Sequence, residues 1–134
     1  GIKNSAPTKA LELTGDIGVS GNLTGGNAAT SKLSGFVSNI STEASNRAIA
    51  VTDNGMILRC TSAITLSLPA TGIPEGFNCM VLQKSADANK ITIAGGSGVT
   101  VKNRSNYTAT AGNYAMLTVV HIGSDILVTA GDMQ

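Results

Sequence analysis

The chain has little charge and few aromatic side chains. Only 13% of its 134 residues are Asp, Glu, Lys or Arg, the net charge is +1, and two Tyr and two Phe are its aromatic residues. A typical soluble domain carries roughly 25% charged residues. Because no basic face is available to neutralise phosphates, we do not expect sequence-independent binding of nucleic acid.

Long apolar runs are also missing. The longest are a few residues, far short of the roughly 20 that a membrane-spanning helix needs, and residues 1–7 do not have the pattern of a secretion signal. The two cysteines, Cys60 and Cys79, stand in apolar stretches and not in a CxxC pair. The sequence therefore predicts buried free thiols and no disulfide framework.

Small polar and aliphatic residues are abundant. The chain has 16 Gly, 28 Ser plus Thr and 11 Asn, and 42% of it is hydrophobic, mostly Ala, Val, Ile and Leu. Branched aliphatic side chains suit strands, so we expect an all-β protein with a thin aliphatic core. The length allows one compact domain.

A short repeat marks the N-terminal part. The stretch TGDIGVSGNLTGG contains Gly15-Asp16-Ile17 and, six residues later, Gly21-Asn22-Leu23. Such units cannot bury their few apolar side chains alone, so the pattern predicts a narrow shaft in which other chains cover them. The alternative is a flexible Gly/Ser/Thr linker.

A neck follows the repeat. Leu33, Phe36 and Ile40 fall at helical offsets, and Glu43 stands four residues before Arg47, which favours a short helix. An extended connector is the alternative, because Gly, Ser and Asn lower helix propensity. The predicted domains are a shaft, a neck and a head, at residues 1–30, 31–46 and 47–134.

The head shows short apolar runs separated by turn residues at intervals of about ten, which is typical of all-β domains. Nine strands are predicted, at 47–52, 56–60, 64–68, 77–83, 90–94, 98–102, 107–110, 114–121 and 126–130. Turn residues such as Asp53-Asn54-Gly55 separate them. Polar and apolar residues alternate in the strands at 64–68 and 90–94, which predicts one buried and one polar face, so a β-sandwich or jelly roll follows.

Residues that would support catalysis are scattered. His121 is the one histidine, and the acidic residues stand singly. His121 could pair with Asp125, but a lone strand histidine is more often structural. No calcium loop or phosphate loop is complete. We expect no enzyme activity, no cofactor and no metal.

The surface is predicted to be rich in hydroxyl and amide groups, which can hydrogen-bond sugars or other neutral polar ligands. The equal alternative is that these groups merely solvate the strands. Tyr107 and Tyr114 are the aromatic residues expected at the surface. Their scarcity counts against a deep carbohydrate groove.

Two stretches resemble bacteriophage proteins. TGDIGVSGNLTGG followed by ATSKLSGFV is similar to the triple-stranded β shafts of phage tail fibres and spikes. ITLSLPATGIPEGFNCMVLQKSADANKITIAGGSGVTV and TAGNYAMLTVVHIGSDILVTAGDM are similar to the terminal knob domains of phage fibres, spikes and tail needles. The resemblance covers most of the chain and rests on the order of such phrases.

The resemblance implies a homotrimer with a slender β shaft and a jelly-roll head of the tumour-necrosis-factor-like kind. Such a head would contact the bacterial host envelope, through surface polysaccharide or an outer-membrane component, during attachment or envelope penetration. The N-terminal side would join the rest of the virion. Assembly in the host bacterial cytoplasm would agree with unpaired cysteines. The alternatives are a structural knob without receptor binding and a polysaccharide-degrading spike.

Alternating strand direction would place one set of loops at a tip far from the shaft. The residues expected to contact a receptor there are Asn54, Glu75, Asn113 and Tyr114. The loops near Ser62, Asp87, 103–106 and Ser124 would face the shaft. A crossed connection of the Greek-key type would change this arrangement.

Overall fold

Nine β-strands build the part of the chain that the computed structural model describes, residues 38–69 and 71–134. They are β1 (Ile40–Glu43), β2 (Arg47–Ala48), β3 (Ile57–Cys60), β4 (Ile64–Leu68), β5 (Asn78–Gln83), β6 (Ile91–Gly95), β7 (Thr100–Lys102), β8 (Met116–His121) and β9 (Ile126–Gly131). All belong to one unit, Val37–Gln134. The predicted shaft, residues 1–30, lies outside the described residues.

The first six strands alternate between two sheets. β1, β3 and β5 lie side by side and parallel in a six-stranded sheet, and β2, β4 and β6 do the same in a three-stranded sheet. Each pair of consecutive strands thus forms one coil, with a strand in each sheet. Three coils stacked in this way give a β-solenoid-like arrangement.

The last three strands close the stack. β8 is antiparallel to β5, β9 is antiparallel to β8, and β7 lies parallel to β9 at the edge of the large sheet. Two bridges, Thr92 to Ala109 and Thr110 to Met133, continue the small sheet beyond β6. Capping strands of this kind protect the backbone edge that a parallel stack would leave open.

The core lies between the two sheets. The three-stranded sheet contributes alternate residues of β4 and β6 to this core. The six-stranded sheet contributes alternate residues of β3, β5, β8 and β9. Ile49, Ile73 and Phe77 fill the remaining space. The expected thin aliphatic core is confirmed, with Phe77 as its one buried aromatic residue among those described.

The all-β prediction is confirmed, but the jelly-roll head is wrong. A jelly roll is built from antiparallel strands, whereas the pairs within the first three coils are parallel. A jelly roll and a β-solenoid show the same alternation of strands and turns along the sequence. Turn residues do not specify which strand a segment will pair with, so this pattern does not distinguish the two folds. The predicted hairpin at Gly123-Ser124-Asp125 does form, between β8 and β9.

The predicted neck is also corrected. β1 falls within residues 31–46, yet it pairs with β3 from Ile40 to Glu43 and so belongs to the large sheet. The strand predicted at 47–52 is shorter, since a 3₁₀ turn forms at Val51–Asp53. The residues described in this region form no helix of more than this single turn.

Glu43 and Arg47 do meet, at the corner between β1 and β2. The Arg47 guanidinium donates to both Glu43 carboxylate oxygens, at 2.7 and 3.0 Å, and to both Asp53 oxygens at the same distances. Asp53 also accepts the N–H of Ala50 at 2.8 Å. One guanidinium therefore fixes the corner of the first coil to the turn that leads into the second, and this bidentate geometry suits arginine.

Replacing Glu43 by glutamine is expected to destabilise the protein by about 1–2 kcal/mol at pH 7, since a charge-assisted contact is lost. The hydrogen bonds from Arg47 hold the pKa of the Glu43 carboxyl below its usual range. The contribution is therefore complete above pH about 4.5 and is lost as the pH falls through the lowered value. Urea denaturation at pH 7 and pH 2.5 measures this. A difference between the two proteins that persists unchanged at pH 2.5 would contradict the assignment.

Candidate ligand-binding surface

The four residues predicted to share a tip lie at opposite ends of β5. Asn54 contacts the first residue of β5, because its Oδ1 accepts the N–H of Asn78 at 3.0 Å. Tyr114 contacts the last, because its N–H donates to the Gln83 carbonyl at 2.8 Å. A strand of this length spans about 17 Å. The common tip is therefore wrong, because parallel coils do not alternate strand direction within a sheet.

Asn54 and Glu75 belong to the first end. Asn54 precedes Gly55 in a tight turn in which the Gly55 φ is 72°. Glu75 is exposed, and its carboxylate lies beside Gly123 of the β8–β9 hairpin, 3.1 Å from where a Cβ on that glycine would stand. Because Asn54 supports the start of β5, its side chain has a structural role that sequence reasoning did not assign.

Asn113 and Tyr114 belong to the second end. The Asn113 N–H donates to the Asp87 carboxylate at 2.7 Å. Tyr114 is 60% exposed at φ 63°, an uncommon conformation for a bulky residue. The Lys84 ammonium donates to its hydroxyl and lies 4.1 Å from its ring centroid. Tyr114 is thus presented at the surface, but its polar end already has a partner.

Two adjoining concavities surround the other exposed tyrosine, Tyr107. One, of about 470 Å³, lies between this residue, β6 and β7, and the other, of about 260 Å³, lies between it and the end of β9. Both include Asn103 and Tyr107 in their walls. We call this region the Tyr107 groove. Its two parts fall near the size range of small-ligand sites.

Asn103 holds the loop that carries Tyr107. Its Oδ1 accepts the N–H groups of Ser105 and Tyr107 at 3.0 and 2.8 Å, and its Nδ2 donates to the Tyr107 carbonyl. Asn106 takes a positive φ of 57°, which asparagine tolerates better than most residues. The ring is 46% exposed. A short fixed loop therefore presents an aromatic face next to the groove.

Neutral polar groups line much of the groove. Thr92, Asn106 and Thr108 surround the larger concavity, and Ser105 lines the smaller one. Their side chains make no hydrogen bond to another residue within 38–69 and 71–134, so their donors and acceptors are available to a ligand. Arg104 supplies the charge at the smaller concavity. Sequence reasoning noted Tyr107 but assigned its loop no contact role, because spacing does not show that three separate segments meet.

Thr129 adds a buried group to the smaller concavity. It is 1% exposed, it lines that concavity, and its hydroxyl has no hydrogen-bond partner among the described residues. An unpaired buried hydroxyl is uncommon and costs free energy.

The comparisons with known proteins add no family. No protein-family model matches the chain, and neither the curated proteins nor the solved structures give a match.

Metal-ligating side chains are not clustered in the described residues. They contain no group of three or more His, Cys, Asp or Glu side chains that could hold a metal. Both ring nitrogens of His121 are buried without a hydrogen-bond partner there, so the pair with Asp125 does not form. No helix of this part is long and apolar enough to cross a membrane.

The two cysteines are free and buried, as predicted. In the register of β3 and β5, Cys60 lies opposite Gln83, four residues along β5 from Cys79. Burial raises the pKa of both thiols to about 12. Neither is a candidate nucleophile, because the reactive form of cysteine is the thiolate.

Proposed function

We propose that this chain is the non-catalytic tip of a trimeric phage tail fibre, spike or needle, and that it contacts the host cell surface during attachment or envelope penetration. The observation that carries the proposal is the Tyr107 groove, in which an exposed aromatic ring stands beside amide and hydroxyl groups that have no partner within the described part of the chain. The resemblance of the sequence to phage shafts and knobs supports the setting, a virion that meets the bacterial envelope.

The chemistry of the groove favours a neutral polar ligand. An aromatic ring offers an apolar face for the C–H surface of a sugar ring, and the neighbouring Asn and Thr side chains both donate and accept hydrogen bonds. Host surface polysaccharide presents both kinds of group in a repeated form. The loop conformation lowers the entropy lost on binding, since the backbone that carries the ring is already held by Asn103.

Replacing Tyr107 by alanine is expected to weaken binding to envelope polysaccharide by at least about 10-fold, because the stacking surface is lost. The measurement is binding of the fluorescently labelled full chain to a panel of bacterial strains and to polysaccharide purified from those that it binds. Tyr114→Ala is the matched control, since it removes the other exposed tyrosine and should leave binding unchanged. If Tyr114→Ala loses binding and Tyr107→Ala does not, the contact with the polysaccharide is made at the second end of β5.

The same assay separates the alternative functions. A structural knob would bind no strain of the panel and would not block adsorption of phage. A polysaccharide-degrading spike would shorten the purified polymer, and replacing Glu75 and Asp125 would then stop the shortening. Binding with no change in polymer length is the result expected here.

A further inference from the structure

The outward face of the six-stranded sheet is mostly apolar. One row of laterally paired residues crosses five strands and carries Ile40, Ile57, Met80, Thr118 and Ala130. Sheets that keep one face in water usually place polar side chains on that face. This sheet already buries its other face in the core, so the row has no partner within the described chain.

Neighbouring rows extend the patch. On one side Leu82 pairs with Met116, and on the other Val120 pairs with Val128. Met80 and Met116, near the centre, are 37% and 41% exposed, and Ile40 at the β1 edge is 56% exposed. Contiguous apolar patches of this kind mark interaction surfaces. We call this region the outer sheet face.

The charge on the outer sheet face is low and of one sign. Arg59 and Lys102 are the charged residues at outward strand positions, and Arg59 donates to the Thr42 hydroxyl. Within the described residues, none of the six strands of this sheet carries an acidic residue at an outward position. An acidic partner would meet only these two cations and a basic partner would meet like charge, whereas another apolar surface would fit the residues between them.

The size of the face matches what a stable protein interface needs. Six strands of three to six residues, about 4.8 Å apart, cover on the order of 450 Å² in projection. Side-chain relief makes the accessible area larger, which brings it close to the roughly 800 Å² that each partner contributes to a standard interface. Met80 and Met116 suit such a contact, because methionine adapts to a partner's shape.

We propose that the outer sheet face is the surface through which copies of this chain pack against one another. Another copy supplies an apolar surface of the same kind. In a closed threefold assembly this face would turn towards the axis, and each copy would pack one part of it against a different part of its neighbour's. This inference rests on the trimer in the proposed function and names the surface that would form it. It does not depend on the Tyr107 groove.

The test is the solution mass of the full chain by size-exclusion chromatography with light scattering. The wild-type protein should give three times 13.5 kDa. Replacing Met80 and Met116 together by glutamate should weaken association at least about 100-fold, because two charges would be buried without partners. Val51→Glu is the matched control, since Val51 is 51% exposed outside the sheets and its change should leave the mass unaltered.

Methionine oxidation of the wild-type chain gives a second measurement that needs no variant. Met80 and Met116 should be protected from peroxide at high protein concentration and become oxidised on dilution.

A monomeric wild type, a double variant that keeps the wild-type mass, or protection that does not depend on concentration would each overturn the inference. If a monomeric wild type binds host cells, the proposed subunit interface is wrong but the proposed contact with the cell surface is still supported. A dimer mass would keep the interface and contradict the trimer.

Discussion

Replacing Gly131 by alanine is expected to lower the free energy of unfolding by about 4 kcal/mol or more. Gly131 is at the end of β9 with φ 137°, a region that L side chains rarely adopt. A Cβ there would stand 2.3 Å from the Met116 carbonyl oxygen and 2.6 Å from the Leu117 Cα. Both are backbone atoms, so no side-chain rotation can relieve the clash, and β8 and β9 would have to separate.

Urea denaturation followed by far-UV circular dichroism measures the effect, since the chain has no tryptophan. Gly98→Ala is the control, because Gly98 also has a positive φ, of 83°, but no atom within 4 Å of the added methyl group. The control should lose only about 1–2 kcal/mol, the cost of the backbone conformation. Equal losses in the two variants would show that the close approach of β8 does not matter.

The position of Gly131 connects this prediction to the candidate site. The chain leaves β9 there and enters the small sheet, where the Asp132 carbonyl accepts the Ala111 N–H at 3.0 Å. Gly131, Thr129 and Met133 all line the smaller concavity of the Tyr107 groove. The glycine therefore lets one segment serve both sheets and form a wall of the groove.

The sequence predicted the strands better than their pairing. The predicted strand at 64–68 has the bounds of β4, and the strands predicted at 77–83 and 126–130 differ from β5 and β9 by one residue at one end. Alternating burial explains this success, because it follows from strand geometry alone. Pairing depends on where the chain turns after each strand, and residues such as Asp53-Asn54-Gly55 fit a coil corner as well as a hairpin.

β1 and the Tyr107 groove show two other limits of the sequence. The helical offset of Ile40 and the four-residue spacing of Glu43 and Arg47 suggested a helix. Glu43 and Arg47 do form a contact, but it forms across a strand corner. The groove joins residues from β6, the 103–108 loop and β9. Segments so far apart in the chain come together only through tertiary pairing, which composition and spacing do not encode.

A second large effect is expected from replacing Thr110 by valine, with a loss of about 3 kcal/mol in the free energy of unfolding. Thr110 is fully buried, and its hydroxyl accepts the Ile91 N–H at 2.9 Å and donates to the Gln83 Oε1. Gln83, also fully buried, donates to the Ala86 carbonyl at 2.9 Å. Valine keeps the shape of threonine but leaves a buried donor and a buried acceptor unpaired.

Thr129→Val is the matched control for this prediction. Thr129, in β9, is 1% exposed, but its hydroxyl has no partner in the described chain. Removing it should leave the free energy of unfolding unchanged or raise it by up to about 1 kcal/mol, since an unpaired buried polar group is lost. Urea denaturation of both variants under the same conditions gives the comparison, and equal destabilisation of the two would contradict the proposed hydrogen-bond chain.

The location of these hydrogen bonds explains why their loss should affect the whole fold. Gln83 ends β5 in the large sheet, Ile91 begins β6 in the small sheet, and Thr110 lies in the segment that continues the small sheet. Their hydrogen bonds thus join the third coil to the strands that close the stack. Hydrogen exchange of the Ile91 amide should therefore accelerate in Thr110→Val and stay slow in Thr129→Val, because only the first variant removes its acceptor.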